Sequence, residues 1–155
     1  MIRLSNIYYL FSLALFTTSS YSLELTVEII KAKQFDKKIM IELFLLEDKK
    51  KQNWQNLQLI HKKVIQLSPE NQEFKLSQLG EGTYALRVFQ DTNSNGILDK
   101  SSNNIPLEPI GFSTNPSLFK GEPSPEDCAI ELINDKHILI NLKHRKQKKK
   151  RKKHH

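Results

Sequence analysis

Gly80 to Asp99 reads GEGTYALRVFQDTNSNGILD, a β-prone run with glycine turns before it and a polar, oxygen-rich loop after it. Within Thr83 to Gln90, Tyr84, Leu86 and Val88 recur at period two and share one face, as in a strand that packs on a core. Gly80-Glu81-Gly82 opens that strand. A tyrosine shortly after a turn glycine often returns its hydroxyl to the backbone in sandwich folds, and Gly82-x-Tyr84 has this spacing. Plain core packing would serve Tyr84 equally well.

Working outward, Leu23, Leu25, Val27 and Ile29 alternate with Glu24, Thr26, Glu28 and Ile30, a half-buried strand. Ile39 to Glu47 (IMIELFLLE) is β-branched and aromatic, with the look of a buried strand, and Gln34 to Lys38 joins the two by a hairpin or a crossover. Val64 to Leu67 and Phe74 to Leu79 are short strands separated by the turn Ser68-Pro69-Glu70-Asn71. Ile130 to Ile133 and Ile138 to Leu142 close the domain as a pair joined by Asn134-Asp135-Lys136. Around the lone Trp54, the spacing of Trp54, Leu57, Leu59 and Ile60 suggests one helical turn over the sheet edge. These segments predict an all-β fold, an antiparallel seven-stranded Greek-key sandwich of immunoglobulin or prealbumin kind.

The chain has 155 residues, enough for one ordinary domain. Its charge is uneven. Of 24 Lys and Arg, one (Arg3) lies in the leader and nine lie between Lys143 and Lys153, which leaves 14 against 17 acids, a net of −3, for residues 23–142. The high pI of about 9.4 therefore belongs to the tail. Cys128 is the only cysteine, so an internal disulfide and Cys-rich zinc patterns are excluded, and its place in CAIELI predicts a small buried hydrophobe.

Arg3, the apolar run Ile7 to Phe16 and the small residues Ser20 and Ser22 form a secretory signal, 1–22, cut after Ser22. Ten residues at about 1.5 Å rise cover only half of a roughly 30 Å hydrocarbon layer, so no transmembrane span is expected in the mature chain. The protein is expected to be exported, periplasmic or extracellular. The domain then runs over 23–142, and 143–155 is a polybasic tail.

Asp91 to Asp99, DTNSNGILD, carries chemistry. Side-chain oxygens fall at its first, third, fifth and ninth positions and glycine at the sixth, the front of an EF-hand-type calcium loop. Calcium takes about six to eight oxygen ligands at roughly 2.3 to 2.6 Å, and alternate residues of a wound loop point inward to supply them. The candidate ligands are Asp91, Asn93, Asn95, the Ile97 carbonyl and Asp99. Ser102 stands where a bidentate glutamate would finish the shell, so a remote carboxylate is required, and Glu108 is the nearest. Alternatively, the same residues make Asx-turns and a tight Asn95-Gly96 turn with no metal. Beyond the loop, the irregular stretch through Pro116, Gly121, Pro123 and Pro125 reads as a proline-fixed crossover plugged by Phe112 and Phe119.

GEGTYALRVFQDTNSNGILD, then IPLEPIGFS, then PSPEDCAIEL, in that order, resemble the family of small exported bacterial proteins called domain of unknown function 2141. The resemblance covers about 23–142 and is strongest over 80–132. It implies a signal peptide, an all-β domain and no assigned activity. Pro125 departs from the bulky residue usual before Glu126-Asp127, and the basic tail lies outside the shared pattern.

Three functions compete. The first is a non-catalytic extracytoplasmic binding or structural module stabilised by calcium. The second is a hydrolase using a carboxylate pair drawn from Asp91, Asp99, Glu108, Glu126 and Asp127; no serine elbow is present, and His61 and His137 are isolated on strand-like segments. The third is a tether in which the tail, lacking anything apolar to bury and so expected to be disordered, meets an anionic surface. No aromatic residue interleaves the tail, and no specific nucleic-acid motif is present.

Overall fold

The computed structural model describes residues 22–47 and 53–144, so the expected leader with its cut after Ser22, and the tail beyond His144, lie outside the described residues. Among the described residues eight strands, not seven, form in order: β1 (Leu23–Ile30), β2 (Lys38–Leu45), β3 (Gln58–Gln66), β4 (Glu73–Leu79), β5 (Gly82–Asp91), β6 (Ile110–Phe112), β7 (Ala129–Leu132) and β8 (Lys136–Asn141). The added strand is β6, three residues inside the stretch read as irregular. Two short 3-10 turns, Trp54–Asn56 and Glu126–Cys128, are the only helical segments among the described residues.

Two sheets result, one ordered β4-β1-β8 and one of five strands in which β3-β2-β5 is extended by β6 and β7. β7 lies along Gly82 to Ala85 and β6 along Arg87 to Phe89, so the two share one edge of β5. β1 and β2 belong to different sheets, which makes Gln34 to Lys38 a crossover. β7 and β8 do not pair with each other as expected. β7 joins β5, while β8 crosses to run parallel to β1, its approach fixed by Glu24 N–H donating to Asp135 Oδ1 at 2.9 Å.

The inner faces of the sheets meet in a core of Leu25, Val27 and Ile29 from β1, Ile39, Ile41 and Leu43 from β2, and Tyr84, Leu86 and Val88 from β5. Period two thus located the inward face of β1 and β5 correctly. Tyr84 packs in this core and also donates from Oη to the Gly80 carbonyl at 2.9 Å, so both readings of Gly82-x-Tyr84 hold, and burial raises the pKa of its phenol. β2 and β5 are buried on their second face too. There Met40, Phe44, Ala85 and Phe89 lie under Trp54, Ile110, Phe112 and Cys128, a smaller apolar layer roofed by the long loops. Trp54 begins a 3-10 turn as expected, but Leu59 and Ile60 already belong to β3.

At one edge the two sheets are stitched together. Ile110 and Lys143 exchange backbone hydrogen bonds at 3.0 and 2.8 Å. Asn115, with φ of 55°, donates from Nδ2 to the Leu139 carbonyl and accepts at Oδ1 from Asn141 N–H, both at 2.7 Å. One side-chain amide here does the work of a neighbouring strand's peptide group. Phe112 is buried as expected, whereas Phe119 is 94% exposed and plugs nothing.

Candidate functional site

The loop after β5 is wound by its own side chains. Asp91, only 4% exposed, accepts at Oδ1 from Asn95 N–H (3.1 Å) and at Oδ2 from Gly96 N–H (2.9 Å). Asn93 Oδ1 accepts from Asn95 N–H at 3.2 Å, and Asn95 Oδ1 from Ile97 N–H at 2.9 Å, two successive Asx-turns. Ser94 and Gly96 take left-handed φ of 63° and 74°, which lets the chain coil this tightly.

The free ends of the same side chains meet. Asn93 Nδ2 and Asn95 Nδ2 both donate to Asp99 Oδ2, at 2.7 and 3.0 Å. Three of the expected ligands are therefore neighbours, the two amides meeting at one carboxylate oxygen. A half-turn of each amide about its last bond would put an oxygen where each nitrogen stands, at the cost of the Asx-turn on that residue. The Ile97 side chain is exposed, and its carbonyl takes no hydrogen bond among the described residues.

Glu108, the remote carboxylate nearest in sequence, lies against the loop. Leu107 N–H donates to the Asp99 carbonyl (2.9 Å) and Ser101 N–H to the Ile105 carbonyl (2.9 Å), folding the chain back so that Glu108 lies beneath the turn. Its Oε1 accepts from Thr92 N–H (2.8 Å) and Thr92 Oγ1 (3.2 Å), and its Oε2 from Asp99 N–H (3.4 Å). With 4% exposure this carboxylate braces both ends of the loop from inside. Asp91 and Glu108 thus spend their oxygens on backbone N–H groups. Among the described residues no three His, Cys, Asp or Glu side chains form a ready metal set, so Asp91, Asp99 and Glu108 are not an all-carboxylate cage.

An ionic cluster missed in the sequence fixes the far end of the loop. Arg87 donates from Nε and Nη2 to Glu42 Oε2 (3.0 and 2.6 Å) and from Nη1 to Glu122 Oε1 (2.8 Å), while Lys100 pairs with the other oxygen of Glu122. The guanidinium also lies over the rings of Phe44 and Trp54, 5.4 and 5.1 Å from their centroids. A signal existed: Glu42 and Arg87 each interrupt an otherwise apolar strand, and β2 and β5 place them directly opposite each other.

Cys128 is fully buried, and burial is the first cause pushing its thiol far above the ordinary cysteine range. His61 and His137 sit on β3 and β8. His137 is exposed, 3.9 Å from the carboxylates of Glu28 and Glu73. Asp127 is exposed at the second 3-10 turn, and Glu126 is partly buried beside it.

A family model described as an uncharacterized protein conserved in bacteria, domain of unknown function 2141, matches residues 27–140. The chain belongs to this family. The matched span runs from within β1 to within β8 and so takes in both sheets, the 91–99 loop and the ionic cluster. No curated protein and no solved structure matches the chain. Among the described residues of this domain of unknown function 2141 protein, no helix is long and apolar enough to cross a membrane.

Proposed function

We propose that the protein is a non-catalytic extracytoplasmic binding or structural module whose 91–99 loop takes a calcium ion. One observation carries the reading: Asn93 and Asn95 both bring their side-chain amides to Asp99, 2.7 and 3.0 Å from its Oδ2, so three oxygen-bearing side chains are gathered in one place on the loop. Calcium takes oxygens at roughly 2.3 to 2.6 Å, so both amides would turn their oxygens to an ion admitted between them and Asp99, and alternation along a tightly coiled loop is how such ligands are delivered. The Ile97 carbonyl and one lone pair on each of Asp91 and Glu108 would add to the shell. With few formal charges among the ligands, the dissociation constant should fall at about 10⁻⁴ to 10⁻³ M, suited to a calcium-rich exterior. The parallel pairing of the first and last strands supports a Greek-key arrangement of immunoglobulin or prealbumin kind.

Calorimetric titration of the mature protein with calcium tests this, beside Asp99→Asn, which keeps the size of the side chain and removes its charge. Heat with millimolar affinity in the parent and none in the variant is expected. A parent that gives no heat and whose melting temperature is the same in calcium and in chelator would overturn the reading.

A further inference from the structure

A cleft of about 980 Å³ opens beside the stitched edge, with Ile105, Ile110, Leu118 and Leu142 among its apolar walls. Lys31, Lys33, Lys143 and His144 stand around it. Among the described residues none of these four has a carboxylate partner: Lys143 Nζ donates to the Asn115 and Pro116 carbonyls, and the His144 ring meets the Lys31 carbonyl at 2.9 Å. The one acid in the lining, Glu108, is turned to the loop backbone. In a domain whose net charge is −3, a face of unpaired cations is a local departure and not the average surface.

Two further features share this face. Phe119 lines the mouth of the cleft yet is 94% exposed, and the exposed Lys120 follows it. The chain also leaves the described domain at His144, on the rim, and continues in sequence as a run of Lys and Arg. We propose that this face docks on the surface of an anionic bilayer, with Phe119 entering the acyl boundary and Lys31, Lys33, Lys120 and Lys143 on lipid phosphates. An apolar tip ringed by cations matches a layer that is anionic outside and apolar beneath. A single enclosed amphiphile fits less well, since Phe119 is almost wholly exposed to solvent and so encloses little of the cleft. The docking adds a structured face to the tail and is independent of calcium at the 91–99 loop.

Cosedimentation of the full mature chain with phosphatidylglycerol/phosphatidylcholine vesicles, against phosphatidylcholine alone, tests it. Chelator is present throughout, so that calcium cannot bridge protein to lipid and the outcome is separate from that of the loop. Binding to the anionic vesicles only is expected. Phe119→Ser should lower partitioning about tenfold, and Lys31→Glu with Lys33→Glu by a further tenfold or more, with melting unchanged because all three side chains are exposed. Absence of binding to anionic vesicles would overturn the proposal. So would binding unmoved by both variants, which would leave the tail as sole contact, or equal binding to soluble heparin that ignores Phe119.

Discussion

Gly111 in β6 stands so close to Ile140 in β8 that a methyl group in the Cβ position would lie 2.4 Å from Ile140 Cγ2 and 3.0 Å from the Asn141 carbonyl. The residue is glycine because two sheets converge there. Gly111→Ala is expected to destabilise by about 1 to 3 kcal/mol or more, as overpacking does. Gly80→Ala, with nothing within 4 Å, serves as the control and should change little. Urea midpoints at constant m-value report both, and equal midpoints would contradict the close approach.

The Asn115 clamp on β8 should be measurable by hydrogen exchange. Asn115→Gly keeps the left-handed backbone available but removes both bonds, so the Asn141 amide is expected to lose protection, with a stability loss of about 1 to 2 kcal/mol. An Asn141 amide that exchanges as slowly as before would show the clamp to be idle.

Arg87 holds two carboxylates and two rings at once. Arg87→Met should leave Glu122 with Lys100 alone and Glu42 with only the half-exposed Lys62 at 3.7 Å, and cost up to about 3 kcal/mol. Arg87→Lys is expected to recover little, because an ammonium cannot fork between two carboxylates as the guanidinium does. Trp54 is the sole tryptophan, so its emission reads this layer directly and should shift to the red in both variants.

Cys128 should be inert. Its burial, and a thiol pKa pushed upward chiefly by that burial, predict almost no reaction with a disulfide reagent at pH 8 in the native protein and one full equivalent in denaturant. Prompt labelling of the folded protein would mean that the roof over the second apolar layer opens readily.

Glu24 carries a pKa below the ordinary glutamate range, first because Lys75 donates a hydrogen bond to it at 2.7 Å. A depressed carboxylate contributes stability above its unfolded-state pKa and loses it as pH falls through the lower folded value. The pair is exposed, so the effect on stability is small. Carbon-13 titration should place Glu24 below other exposed glutamates and move it upward in Lys75→Met; an unmoved value would dissociate the shift from the pair.

Much of the fold was legible where one side of a strand faces water. β1 and β5 announced their inner faces by alternation, and β2 its burial by an apolar run broken only at Glu42. β3 began earlier than expected because in Gln58 to Lys63, an edge, the adjacent Leu59 and Ile60 fall on opposite faces and give no alternation to read. β6 is too short for any period, and Phe119 resembles a core residue by type alone. In the 91–99 loop, donor spacing and the approach of Glu108 were readable. What the spacing could not tell is how each oxygen is shared between backbone and cation. The cluster of Glu42, Arg87, Lys100 and Glu122 escaped because its members are scattered along the chain and meet only through sheet pairing.

The parallel ladder between β1 and β8 also sets the order of assembly. Its two halves are separated by about 110 residues, so the amino-terminal strand has one open flank until nearly the whole chain has emerged. Stepwise folding from the front is therefore closed to this topology. A nascent or translocating chain would stay incomplete to the end, and loss of the last few residues of the domain would unmake its beginning.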